Sequence, residues 1–182
     1  MNHISKSSED TEKIAKEFLD KITNGFPLTR GTKGVVSRAC VVGLTGDLGT
    51  GKTTFTQFVA KSLGVKTKVN SPTFVIMKRY SLPLRRGSAR RARGFKKVGR
   101  KFKNLFHIDA YRLKNEKELF HLGWEEIISN PENLVFIEWP ELVAKAMPKK
   151  HYKISIKHLP RRSGAKAGTK EGHRKFGIKF SS

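Results

Sequence analysis

A chain of 182 residues with 37% hydrophobic and 9% aromatic side chains has the length of one domain and enough apolar material for a core, which excludes a small scaffold held together by disulfides. Charged residues make up 29%, mean hydropathy is -0.49 and no apolar run nears the ~18 residues of a spanning helix, so no membrane protein is expected. The net charge is +23, yet residues 85–103 and 160–170 hold ten and four basic residues and no acid, and the other 152 residues carry only +9.

The first twenty residues are polar and acidic where a signal peptide would show a basic start and an apolar stretch, so a cytoplasmic protein is expected. Ser8 is placed to cap a helix over 8–22, with Glu9, Asp10 and Glu12 at the positive end of its dipole and Ile14, Phe18, Leu19 and Ile22 on one face. The unbroken apolar run 39–44 reads as a strand covered on both faces, with Cys40 a buried thiol. After a glycine-rich turn, Phe55, Phe58, Val59 and Leu63 fall at helical spacing over 53–63, and Gly64 stops the helix. Segments 73–80 and 104–109 read as two strands of a hairpin connected through the first basic segment. Residues 116–122 and 125–128 make short helices around Gly123, 133–139 a third buried strand and 140–147 a short helix. Residues 152–159 and 174–180 alternate as a terminal hairpin whose loop is the second basic segment.

Gly46-Asp47-Leu48-Gly49-Thr50-Gly51-Lys52-Thr53 is a full GxxxxGK[ST] match between a buried strand and an amphipathic helix. Its glycines let the backbone N–H groups of Asp47 through Gly51 curl round phosphate oxygens, and the helix N-terminus adds partial positive charge. Lys52 is suited to the β and γ phosphates and the Thr53 hydroxyl to Mg²⁺. Such a loop needs an acid at the end of a neighbouring strand. Two apolar runs end in one: LFHID in Asp109 and LVFIE in Glu138. A glutamate directly after a buried strand reaches the metal's water shell and can orient an attacking water, while Asp109 can hold another water or Lys52. The six histidines are given no catalytic role, and His107 reads as a core residue. The expected architecture is α/β: one domain over 1–182, a P-loop NTPase-like, mostly parallel sheet flanked by helices, with antiparallel additions and two basic loop insertions.

In chain order, GDLGTGKTT (46–54), SPTF (71–74), HIDAYRL (107–113), ELFHLG (118–123) and IEWPE (137–141) form a set. This set resembles the TsaE family, also called YjeE, the small P-loop ATPases of bacterial tRNA threonylcarbamoyladenosine synthesis. The resemblance implies ATP and Mg²⁺ at the loop, with Lys52, Thr53 and Thr54 at the family's phosphate and metal positions. It implies Glu138 at the Walker B position, Asp109 as a second essential acid and Trp139 beside the nucleotide. Thr73 would be a switch residue sensing the γ-phosphate. Arg174 aligns with a C-terminal arginine of the family, and the Ser8 to Thr11 region with its N-terminal nucleotide contacts. The implied partners are TsaD and TsaB type proteins, and the implied role is to reset their complex during tRNA modification.

The basic segments depart from the family, which has short turns there. Cations interleaved with Phe95, Val98 and Phe102 suit contact with tRNA phosphates, with an acidic protein surface as the alternative. Two other readings compete: a small-molecule kinase using the same loop, and a basic RNA-binding module in which the loop is vestigial. Intact Lys52, Thr53, Asp109 and Glu138 argue against the second.

Overall fold

The computed structural model describes residues 1–25, 38–72, 75–83, 102–159 and 172–181. Seven strands form one sheet: β1 (Asn2–Ser5), β2 (Cys40–Thr45), β3 (Met77–Ser81), β4 (Asn104–Asp109), β5 (Asn133–Glu138), β6 (His151–His158) and β7 (Arg174–Ser181), in the order β1-β7-β6-β2-β5-β4-β3. The central four, β6-β2-β5-β4, are parallel, and antiparallel partners close both edges: β3 on β4, and β7 on β6 with β1 outside it.

The unbroken apolar runs of β2 and β5 follow from helices lying on both faces. On one side α1 (Ser8–Gly25) and α2 (Lys52–Ser62) bury Phe18, Ile22, Phe55 and Val59 against Val42, Leu44 and Phe136. Phe18 meets Phe55 at 5.9 Å between ring centroids and Tyr152 edge-on at 5.4 Å. On the other side α3 (Glu116–His121) and α4 (Trp124–Ser129) bury Leu119, Trp124 and Ile127 against Val41, Val135 and Ile137. Burial of a whole tryptophan is tolerable because its Nε1–H donates to the Ala146 carbonyl at 2.8 Å. Among the described residues no helix is long and apolar enough to cross a membrane.

Several local readings are corrected. Ser7, not Ser8, caps α1: its hydroxyl oxygen accepts the Asp10 N–H at 3.2 Å, while the Asp10 carboxylate accepts the Lys6 N–H at 2.8 Å. The segment from 73 becomes a strand only at Met77, because Ile76 adopts φ 60 just before it. Residues Pro140–Ala146 form 3-10 turns broken at Val143. The strand β1 was not expected: NHIS is short and polar, and backbone pairing with the far end of the chain makes it a strand. Of the first basic segment, Phe102 is buried in the core and Lys103 pairs with Glu132 at 2.7 Å. Its remainder and the whole of 160–170 lie outside the described residues, as do Thr73 and Phe74.

Candidate functional site

The parallel register aligns the C-terminal ends of three adjacent strands. Leu44 of β2 pairs with Glu138 of β5, which pairs with Asp109 of β4. The chain leaves β2 through the glycine-rich loop and enters α2, so loop, helix N-terminus and both acids meet at one end of the sheet, where ligands of open α/β sheets bind. Gly46 makes this turn possible at φ 138. A Cβ there would stand 2.1 Å from the Ile156 carbonyl oxygen, so no side chain fits. Gly51, at φ 102, starts α2 in a left-handed conformation with no side-chain cap, which leaves the first N–H groups of the helix for a ligand.

Lys52 is buried, and its ammonium donates to the carbonyls of Gly46 at 2.6 Å and Asp47 at 3.0 Å while lying 3.9 Å from the centroid of the Trp139 ring. Burial pushes the Lys52 ammonium below its ordinary value, opposed by the charges of Glu138 and Asp109. This cation is held inside the loop by weak neutral acceptors that an anionic ligand would outcompete. Thr50 closes the turn, its hydroxyl on the Asp47 carbonyl at 2.9 Å. Asp47, Leu48 and Gly49 are exposed at the tip, Leu48 to 85%.

The Thr53 hydroxyl donates to Glu138 Oε1 at 2.8 Å, and His107 Nε2 lies 2.7 Å from the same oxygen. A hydroxyl that gives its proton to a carboxylate turns its lone pairs elsewhere, as a metal-ligating threonine must. Thr53 and Glu138 are hard oxygen donors of the kind that could hold Mg²⁺ together with water and phosphate oxygens. Asp109, one strand over, accepts the Tyr111 N–H at 3.1 Å and faces the Ser71 hydroxyl at 3.5 Å.

Trp139 follows Glu138 at φ 58, its N–H on the Leu44 carbonyl at 3.1 Å and its ring 5.3 Å from that of Tyr111. Ile76, on the other flank of the site, shares this left-handed conformation, and its carbonyl accepts the Asp109 N–H at 2.9 Å. Positive φ is costly for side-chain-bearing residues, most of all a β-branched one.

Arg174, the first residue of β7, reaches this end of the sheet as well. A Cβ on Gly51 would lie 3.7 Å from Arg174 Nε, and that nitrogen is buried without a partner among the described residues. Strand β1 helps place it, through the pairing of Ser5 with Arg174. Thr54 is exposed on the first turn of α2. Thr11 is buried, its hydroxyl 2.7 Å from that of Ser5 and 3.2 Å from the Ser7 carbonyl. The structure thus brings Lys52, Thr53, Glu138, Asp109, Trp139 and Arg174 to the loop, and leaves Thr11 engaged with Ser5 and Ser7. The sequence reading missed His107 as a partner of Glu138. The signal available was its place two residues before Asp109, on the same face of the strand.

The TsaE family profile, described as Threonylcarbamoyl adenosine biosynthesis protein TsaE, matches residues 5–165. A tRNA threonylcarbamoyladenosine biosynthesis protein TsaE of Bacillus subtilis is 36% identical over 120 residues, spanning 64% of this chain and 61% of that protein. Its counterpart in Rickettsia prowazekii is 33% identical over 158 residues, 86% of each chain. The crystal structure of Bacillus subtilis YdiB superposes with a TM-score of 0.56 at 26% identity, covering 97% of this chain and 83% of that one. Because the matched residues 5–165 take in the loop, both carboxylates and the strands that carry them, the chain belongs to the TsaE family of threonylcarbamoyl adenosine biosynthesis proteins.

Proposed function

We propose that this protein is a cytoplasmic, Mg²⁺-dependent ATPase serving N6-threonylcarbamoyladenosine formation at position 37 of tRNAs that read codons beginning with A. It resets a transferase complex of TsaD and TsaB type proteins after each turnover. The observation that supports this reading most is the Thr53 hydroxyl bonded to Glu138 at 2.8 Å beside the Lys52 ammonium in a loop that ends at a helix N-terminus.

In this reading the backbone N–H groups of residues 47–54 bind the β and γ phosphates, and Lys52 exchanges the Gly46 and Asp47 carbonyls for phosphate oxygens, neutralising charge that grows on the leaving group. Thr53, and Glu138 directly or through water, would hold Mg²⁺, which when bound would supply Lewis-acid stabilisation of the phosphate charge. Oε1 of Glu138 is occupied by Thr53 and His107, so Oε2 is the oxygen that accepts a proton from the attacking water and aims its lone pair at the γ-phosphorus. Asp109 holds a further water of this network. Arg174 meets phosphate oxygens from the β7 side, Trp139 packs beside the nucleotide and Thr73 senses the γ-phosphate.

The test is ATP hydrolysis measured alone, with TsaD and TsaB type partners, and with tRNA added. Stimulation by the partners supports the reading. Transfer of phosphate to a metabolite in place of water overturns it. Placement of Trp139 beside the nucleotide has its own readout: tryptophan fluorescence should change on adding Mg²⁺ and ATP, and the change should vanish in Trp139→Phe, because Trp124 is buried in the core on the Ala146 carbonyl.

The basic segments 85–103 and 160–170 are the proposed tRNA contacts. If about six cations of the first meet phosphates, log affinity for tRNA falls with log salt at a slope of about -5. Deleting 85–101, which spares the buried Phe102 and the Lys103–Glu132 pair, should flatten that slope and weaken tRNA binding while nucleotide affinity stays within about threefold. Lengthening a connection costs only ~0.6 kcal/mol per doubling, so the sheet does not depend on it. Unchanged tRNA affinity and slope would assign the segment to an acidic protein surface.

A further inference from the structure

His107 stands in the middle of β4, between Phe106 and Ile108, and is fully buried. A position used only for packing would favour an apolar side chain, since burying an imidazole means desolvating two nitrogens. One of them lies 2.7 Å from Glu138 Oε1, and the other, Nδ1, has no partner among the described residues. A bare nitrogen at that distance from a carboxylate oxygen would set lone pair against lone pair. Nε2 therefore carries a proton and donates it to Glu138 Oε1.

Glu138 is itself 4% exposed, so protein donors and not solvent set the direction of its carboxylate. Two donors from different elements converge on the same oxygen: Thr53 from the first turn of α2 and His107 from the adjacent strand. With Thr53 alone the carboxylate can pivot about a single bond. With His107 added, its plane is fixed and Oε2 is the oxygen presented to the reaction.

We propose that His107 is a positioning residue for Glu138, its Nε2–H holding the carboxylate in the orientation from which Oε2 aims the attacking water. The inference rests on the reading of Glu138 as the acid of an ATPase, and two substitutions of matched polarity test it. A glutamine amide nitrogen reaches the place of the imidazole Nε2, whereas an asparagine amide stops near Nδ1. His107→Asn should lower kcat for ATP about 10- to 100-fold, the scale of a small misplacement of a reacting group, with KM and nucleotide affinity within about threefold. His107→Gln should restore kcat to within about threefold of wild type. Equal rates in both variants, at wild-type level or equally depressed, would overturn the assignment.

A measurement on the unaltered protein stands beside these and does not depend on either variant folding. The ring nitrogen resonances of His107 should show Nε2 protonated, and a bare Nε2 would overturn the proposal. Glu138→Gln run in the same assay separates the two levels of inference. If that variant hydrolyses ATP like wild type, the ATPase reading of Glu138 fails. If it is slow while His107→Asn is not, only the role of His107 fails.

Discussion

Glu138→Gln should slow ATP hydrolysis at least ~100-fold, about 2.7 kcal/mol in activation free energy, and leave nucleotide affinity nearly unchanged. The amide oxygen of glutamine can still accept from Thr53 and His107 at the positions seen for Oε1, so the side chain keeps its orientation. What changes is the other end: an NH₂ replaces Oε2 and offers a donor where the water needs an acceptor. Phosphate release in a single turnover, compared with the dissociation constant of a non-hydrolysable ATP analogue, separates the two effects. Equal hydrolysis in wild type and variant would remove Glu138 from the Walker B position.

Lys52→Ala should abolish useful nucleotide binding, weakening it by 100-fold or more, because a charge-assisted bond to phosphate is worth about twice a neutral one and the loop itself contains no other cation. The effect on the ligand-free protein runs the other way. Burial holds the Lys52 ammonium below its ordinary value, so at neutral pH its charged form costs the folded state stability. That cost fades as pH rises from the lowered folded value toward the unfolded value near 10.5. Lys52→Met, of similar length and uncharged, should therefore unfold at no lower a temperature than wild type without ligand. Wild type should gain several degrees with ATP at a hundred times its dissociation constant, and the variant none. A ligand-induced gain in Lys52→Met would show that the backbone alone captures the phosphates.

The loop and the two acids were legible because each leaves a local signature. GxxxxGK[ST] has fixed spacing, and β4 and β5 are apolar runs long enough to be buried on both faces and ended by a carboxylate. The terminal hairpin was legible from alternation. The strand β1 was not, since four residues with Ile4 58% exposed carry no pattern and owe their conformation to β7, more than 160 residues away. Neither was His107. A histidine inside an apolar run reads alike whether it packs or donates, and only the register of β4 on β5 brings it to Glu138. Arg174 was placed by resemblance alone, and its position over Gly51 depends on the edge strands, which no local pattern reports.

Ile76 and Trp139 bracket the site in left-handed backbone conformations, each costing of order 1–3 kcal/mol. Asparagine or glycine would occupy either position with less strain. A laboratory selection scored on heat resistance alone would therefore drift toward those residues and give up the ring that packs against Lys52. At Trp139 the enriched variants would fold better and lose the ring over the Lys52 ammonium, so robustness and nucleotide binding pull in opposite directions there.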